Sequence, residues 1–271
     1  MIDAQTELYC VIGNPVRHSL SPIMHNAAFD RMGLNATYLA FEVKNLGEAI
    51  NGIRGLGIRG VSVILPFKTQ VIPFLDEVEA VAEKIKAVNT IVNEGGRLIG
   101  HNTDCGGAME ALEEEVDLKG KKILLLGAGG AARAIGFGLK EKGSQVIISN
   151  RSPDNAHELA KDLGFIYQPL LSIREIIFDV IINATSVGMS PHDMESPLPK
   201  EFLKKGMVVM DIVYQPLKTK LLQDAEEQGS RTINGLEMLA RQGAKQLEIW
   251  TGKKPEINQI KEDLRKALHR K

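Results

Sequence analysis

Short apolar runs rich in β-branched and aromatic residues alternate with amphipathic stretches along most of the chain. The runs at 7–13 (ELYCVIG), 37–43 (TYLAFEV) and 61–65 (VSVIL) read as strands, and the stretches between them, 21–33 and 46–57, carry helical apolar spacing. This βαβαβ order implies a largely parallel sheet, because parallel neighbours need a crossover of helical length. A helical pattern follows at 77–87, and 90–100 sets Glu-Gly-Gly between apolar flanks, which predicts a hairpin. After the polar segment 101–107 and a helical run at 108–116, a new α/β cycle begins. Strands are expected at 121–127, 145–150, 179–185, 207–213 and 231–233, with helices at 130–142, 153–163 and 217–229. Two last helical runs, 236–250 and 257–270, have no strand after them and are expected to pack on the first unit. The pattern therefore predicts an α/β chain of two domains. An N-terminal α/β domain with a mainly parallel sheet takes 1–103 plus 236–271, and a doubly wound domain takes 104–235.

A chain of 271 residues, 44% apolar and 25% charged, has the composition of an ordinary folded protein and enough length for two cores. Its 33 Lys and Arg against 34 Asp and Glu leave a net charge of -1, so no overall field draws it to nucleic acid or an anionic membrane. A small-molecule partner is the expectation, with the chain a monomer or a homodimer. Two cysteines, Cys10 and Cys105, are too few for a disulfide framework and lack the clustering of a metal site, so no metal is expected. No basic leader or apolar run of membrane length is seen, and a cytoplasmic location is expected.

The clearest chemical signal follows the strand at 121–127. Gly127-Ala128-Gly129-Gly130-Ala131-Ala132 closes an apolar strand and opens a helix, the context that makes a glycine pattern a dinucleotide-binding signal. Gly127 permits the tight turn, Gly129 lets backbone approach a pyrophosphate, and Ala132 is small enough for close helix packing. About twenty residues on, where an NAD site carries an acid, the strand ends in Asn150-Arg151-Ser152. A guanidinium and a hydroxyl suit a 2′-phosphate, so NADP(H) is the expected cofactor and the second domain is its expected seat.

Polar clusters mark the strand ends of the first domain, where open α/β sheets place ligands. Ser19 and Ser21 precede a helix, with Ser21 before Pro22 placed as an N-cap, and two hydroxyls there also suit a carboxylate. Lys68 follows the third strand, Asn89 enters the next, and Asp104 ends Asn102-Thr103-Asp104 and could cap the following helix. Hydride reduction of a ketone needs a group to protonate the new alkoxide, and the reverse needs a base. Lys68 and Asp104 can supply both as a pair.

Taken together, GNPVRHSLSPIMHN (13–26), PFK (66–68), AVNT (87–90), NTD (102–104), GAGGAARA (127–134), NRS (150–152), NATSVGM (183–189), DIVYQP (211–216) and GLEMLARQGA (235–244) resemble the shikimate dehydrogenase family. The motifs run in family order over nearly the whole chain. The resemblance implies a substrate domain and a Rossmann-type NADP-binding domain, and reduction of 3-dehydroshikimate to shikimate in aromatic amino-acid biosynthesis. It assigns Lys68 and Asp104 as the catalytic pair. Ser19 and Ser21 go to the substrate carboxylate, and Asn89, Asp104 and Gln242 to its other oxygens, with Tyr214 nearby. Gly127, Gly129, Gly130 and Ala131 form the cofactor turn, Asn150, Arg151 and Ser152 the 2′-phosphate loop, and Thr185, Ser186, Met189 and Gly235 line the nicotinamide side.

The chain departs from the family pattern in three places. Many members read Asn-Val-Thr where this chain reads Ser62-Val63-Ile64, and many NADP users carry a second arginine where Asn155 stands. Strand alternation puts Ser62 and Ile64 on one face, both toward the substrate. An NAD-using quinate or quinate/shikimate dehydrogenase and a catalytically weak metabolite-binding homologue are the competing readings.

Overall fold

The computed structural model describes residues 2–268, which fall into two compact α/β units. One comprises the chain up to Thr103 and from Gln242 onward; the other is Asp104–Arg241.

The first unit runs β1 (Glu7–Gly13), α1 (Ser21–Arg31), β2 (Ala36–Glu42), α2 (Leu46–Gly55), β3 (Gly60–Val63), β4 (Glu77–Val78), α3 (Ala80–Ile85), β5 (Thr90–Glu94) and β6 (Arg97–His101). Its sheet has the order β2-β1-β3-β5-β6-β4. β1 is parallel to both β2 and β3, while β5 is antiparallel to β3 and β6. β1 is a continuous apolar run because both its faces are covered. Cys10 and Ile12 join a core with Ile50 and Ile53 of α2, and on the other face the Tyr9 ring lies 5.0 Å from Phe29. In α2, Asn45 caps the helix by accepting from the Glu48 amide, and Leu46, Ile50 and Ile53 are its buried stripe. The β5–β6 turn is made by Gly95 and Gly96, both at positive φ, as a two-residue hairpin loop requires.

The second unit runs α4 (Asp104–Glu113), β7 (Lys122–Leu126), α5 (Gly130–Glu141), β8 (Gln145–Ser149), α6 (Pro153–Leu163), β9 (Ile166–Tyr167), β10 (Val180–Asn183), β11 (Val208–Asp211), α7 (Lys220–Glu227) and β12 (Arg231–Ile233). All its strand pairs are parallel, in the order β12-β11-β10-β7-β8-β9. Read from β7, this is the doubly wound Rossmann order. Ile123 and Leu125 of the central β7 belong to one buried cluster and Leu124 and Leu126 to the opposite one, so helices cover both faces.

Two helices end the chain, α8 (Gly235–Thr251) and α9 (Ile257–Leu268). Of the helix expected at 257–270, positions 269–270 lie outside the described residues. The domain division falls inside α8, between Arg241 and Gln242, rather than ahead of residue 236. Met238 is part of the second unit's core and the buried Arg241 pairs with Glu237 and with Glu114, just past the end of α4, which holds the first turns of α8 there. Beyond the seam, Gln242, Gln246 and Trp250 recur every fourth residue as one stripe, and Gln246 and Trp250 bond to Asn89, Thr90 and Ile91 of the first unit.

The helix expected over 77–87 begins later. Glu77 and Val78 pair in parallel with Ile99 and Gly100, and the helix is confined to Ala80–Ile85, capped by Glu79. No described helix is long and apolar enough to cross a membrane.

Candidate active site

In the first unit the site is built where β1, β3 and β5 meet their loops. α1 starts at Ser21 with Leu20 in the cap position, so Ser21 lies in the first turn and is not the N-cap expected from the sequence. Ser19 Oγ instead accepts from the Ser21 amide at 3.2 Å and donates to Ser21 Oγ at 3.1 Å. The two hydroxyls thus stand side by side at the start of α1.

Asn89 is buried and organises the next cluster. Its Oδ1 accepts from the Thr103 amide at 2.8 Å and from Thr90 Oγ1 at 2.9 Å. Its Nδ2 donates to Thr103 Oγ1 at 2.9 Å and to Gln242 Oε1 at 3.3 Å. Lys68, half-buried after β3, accepts from the Val88 amide through its carbonyl at 2.8 Å, which ties the lysine's backbone to the residue before Asn89. Asn89, Gln242, Thr103 and the Lys68 backbone therefore form one hydrogen-bonded assembly.

The expectation for Ser62 is corrected. Its Oγ accepts from the Tyr38 hydroxyl at 2.6 Å and donates to Gln246 Oε1 at 2.9 Å, within a fully packed interior. β3 ends at Val63, and Ile64 follows it, half-buried, its side chain lying where a Cβ on Gly13 would be. His25 Nε2 meets the same Gln246 Oε1 at 3.2 Å and its ring stacks on Tyr38 at 4.4 Å. Burial pushes the imidazole down to about 3, so it is neutral at physiological pH, and pushes the Tyr38 hydroxyl well up. Gln246 closes the chain by donating to the Asn89 carbonyl at 3.2 Å and to Thr90 Oγ1 at 3.0 Å. Nothing in the sequence motifs singled out Gln246, whose partners are more than 150 residues distant.

In the second unit, Gly127 has φ +112, and a Cβ there would lie 2.9 Å from the Ala184 carbonyl, so the turn requires glycine. A Cβ at Gly129 would meet nothing within 4 Å, which leaves the backbone at the head of α5 open to an approaching group. Gly130 and Ala131 open the helix, whose first amides have no intrahelical acceptor. β8 ends in a buried Ser149 followed by Asn150, and Arg151 and Ser152 are exposed at the start of α6, with Asn150 Nδ2 bonded to the Ser152 carbonyl at 3.0 Å. Asn155 is exposed one turn on.

After β10, Thr185 is held by its amide and hydroxyl on Asn183 Oδ1 at 3.0 and 2.6 Å, and the Met189 amide bonds the Ser186 carbonyl at 3.2 Å. Tyr214, half-buried, follows β11, and Gly235 sits so close to the Ile212 and Val213 carbonyls that any side chain would collide. Asp104 is buried as the first residue of α4, directly after Thr103. Asn183 and Asp211, which bond each other at 2.9 Å, were quoted within motifs but given no role by the sequence. Their signal is a polar residue closing each of two otherwise apolar strands.

A Rossmann-order sheet with an open glycine turn and a basic strand end, in one chain with an α/β unit whose sheet end gathers hydroxyls and amides, defines a nicotinamide-dependent oxidoreductase. Residues 11–91 match the shikimate dehydrogenase substrate binding domain, 109–214 match shikimate / quinate 5-dehydrogenase, and 235–265 match the shikimate 5′-dehydrogenase C-terminal domain. The shikimate dehydrogenase (NADP(+)) of Thermococcus kodakarensis is 50% identical over 262 residues, 94% of this chain and 95% of that protein. A crystal structure of a shikimate dehydrogenase in complex with NADP+ superposes with a TM-score of 0.94 at 44% identity, covering 99% of this chain and 98% of its own. The Thermus thermophilus shikimate 5-dehydrogenase, solved with NADP(H) and shikimate, gives 0.90 at 40% identity, over 97% and 100% of the two chains. The chain belongs to the shikimate dehydrogenase family.

Proposed function

We infer that the chain carries out reversible hydride transfer between NADP(H) and a ring alcohol, reducing 3-dehydroshikimate to shikimate. The observation that carries this reading is the bonded Asn89–Gln242 amide pair, with Thr103 between them and Asp104 next in the chain, in a protein half identical to an NADP(+)-dependent shikimate dehydrogenase.

The second unit fits the dinucleotide. The open face at Gly129 admits a pyrophosphate to the amides at the head of α5, formed by Gly130 and Ala131, and Gly127 sets the turn. Asn150, Arg151 and Ser152 hold the 2′-phosphate, with Arg151 exposed at a strand end that carries no acid. Thr185, Ser186, Met189 and Gly235 flank the nicotinamide. When bound, NADPH supplies the hydride.

The first unit holds the polyol acid. Ser19 and Ser21 donate to the carboxylate, Asn89 and Gln242 fix the ring oxygens, and Ile64 completes the surroundings on this unit, while Tyr214, in the second unit, is assigned to the substrate by the family motif alone. Lys68 donates the proton that neutralises the alkoxide, and Asp104 orients both the ammonium and the substrate hydroxyl. In the reverse direction the same pair removes the hydroxyl proton. The small number of cysteines, two in 271 residues, supports a cytoplasmic location.

The test is a matrix of shikimate and quinate with NADP+ and NAD+, followed as nicotinamide absorbance with purified protein. Shikimate with NADP+ is expected to give the highest kcat/KM. Absence of turnover in either direction, or preference for quinate with NAD+, overturns the reading.

A further inference from the structure

Asn183 and Asp211 end the adjacent strands β10 and β11, in register and fully buried. The carboxylate collects three donors. Asp211 Oδ1 accepts from Asn183 Nδ2 at 2.9 Å and from the Val213 amide at 3.0 Å, and Oδ2 accepts from Thr219 Oγ1 at 2.7 Å. Asn183 passes this order onward. Its Oδ1 takes the Thr185 amide and hydroxyl, its Nδ2 also reaches the Val187 carbonyl at 3.2 Å, and the Val187 amide returns to Thr185 Oγ1 at 3.1 Å. The loop after β11 is joined to the same loop by Ser190, whose amide donates to the Gln215 carbonyl at 2.9 Å.

One buried carboxylate therefore anchors both the 184–189 loop and the segment leading to Tyr214. We propose that Asp211, in its ionised form, is a positioning residue for NADP(H): acting through Asn183 and Val213, it holds the loops that receive the nicotinamide end. The inference rests on the reading of Thr185, Ser186, Met189 and Gly235 as the nicotinamide side.

The charge matters because every partner is a donor. Both groups on Oδ1 are N–H donors, so a proton can enter only at Oδ2, facing the Thr219 hydroxyl, which would have to turn away. Thr219 Oγ1 also accepts from the Leu222 amide at 3.4 Å as the cap of α7, so its oxygen is held in place and only its hydrogen can turn from the carboxylate. Burial pushes the Asp211 carboxyl up to about 6, within the range the protein can be assayed. No charged side chain faces it in an ion pair among the described residues. On α7, Lys220 bonds Asp224 at 2.7 Å; on β12, Arg231 pairs with Glu115; β10 carries no titratable side chain.

The experiment measures the dissociation constant of NADPH for the full chain without substrate, by nicotinamide fluorescence, from pH 5 to pH 8. Wild-type protein is compared with Asp211→Asn and Thr219→Val. The 2′-phosphate titrates in the same range in all three and cancels in the comparison. Wild-type affinity is expected to fall on acidification by about fivefold or more beyond the change seen in Asp211→Asn, which binds more weakly at pH 8 and lacks that step. Thr219→Val, having lost one donor to the carboxylate, should move the wild-type step to higher pH. Parallel wild-type and Asp211→Asn curves overturn the inference. If Asp211→Asn does not fold, an unshifted step in Thr219→Val overturns it instead. No NADPH binding by the wild type at pH 8 overturns the cofactor reading itself, and the inference with it.

Discussion

Ser62 Oγ donates to Gln246 Oε1 at 2.9 Å, across 184 residues of sequence, while accepting from Tyr38. This small hydroxyl is committed to the interior. On the proposed substrate site, any contribution of β3 and the residue after it falls to Ile64, which has no hydrogen-bonding group to offer. Restoring one there is the most direct gain-of-function experiment. Ile64→Thr is expected to raise kcat/KM for shikimate by roughly 5- to 150-fold, about 1 to 3 kcal/mol for a recovered hydrogen bond, with KM for NADP+ nearly unchanged. Steady-state kinetics with each substrate varied decide it; unaltered shikimate parameters would show that Ile64 serves only to pack on Gly13.

Arg151 stands exposed where an NAD site would carry an acid. Arg151→Ala should raise KM for NADP+ much more than KM for NAD+, by a factor corresponding to about 1.5 to 3 kcal/mol for a charge-assisted bond to phosphate. Equal rises for both cofactors would remove the 2′-phosphate assignment.

Lys68→Ala and Asp104→Ala should each lower kcat by roughly 100-fold or more, as loss of acid–base assistance does. The double variant should fall short of the product of the two, because the residues act as a unit. Additive losses confined to KM for shikimate would mark both as binding residues.

His25 makes stability depend on pH. Its folded value, about 3, lies below the ordinary imidazole value of 6.5, so the unfolded chain binds the extra proton between them and stability falls as pH drops through 6.5. Asp211 works in the opposite sense: its folded value of about 6 exceeds 3.8, so its proton is held by the folded state and acidification favours folding between those values. His25→Gln should lose the first effect, and its melting temperature should fall less than that of the wild type between pH 7 and pH 5. Identical melting profiles would mean that the ring is solvated or protonated in the folded protein.

Gly60 lies against the indole of Trp250, and a Cβ there would come within 2.6 Å of the ring nitrogen. That nitrogen donates to the Ile91 carbonyl at 3.0 Å, so the ring cannot move without breaking the bond. Gly60→Ala is expected to destabilise the chain by about 1 to 3 kcal/mol through overpacking, with a red-shifted emission from its single tryptophan. Denaturant unfolding followed by that fluorescence measures both; an unchanged midpoint would refute the contact.

Most of the fold was legible because its strands are bounded by strong local signals: the apolar run of β1, the Gly95-Gly96 turn, the glycines after β7. Glu77-Val78 was not, since Glu-Val-Glu-Ala-Val-Ala reads as one helical face and the strand is only two residues long, fixed by its partner β6. Ile166-Tyr167 is equally short and equally dependent on its neighbour, β8. In the candidate site, Asn183 and Asp211 brace their loops from within motifs, whereas Gln246 braces Asn89 and Ser62 from outside any of them. Ser62 looked like a substrate contact because its partner Gln246 lies on a distant helix, and no local pattern announces that pairing. Leu20 replaced Ser21 at the cap of α1 because Ser19 Oγ already satisfies the Ser21 amide.

The seam inside α8 sets a rule for exchanging cofactor halves between relatives. Residues 104–241 are an insertion in the first unit, so a cassette carrying another enzyme's nucleotide preference enters at two joints, one of them in mid-helix. Each residue gained or lost at that joint rotates everything after it by about 100°. Gln242, Gln246 and Trp250 would then leave the side chains and carbonyls of Asn89, Thr90 and Ile91 together. A chimera should keep the whole of α8 from the recipient and be spliced ahead of Gly235, where the donor's β11 loop must still leave room for a residue without a side chain.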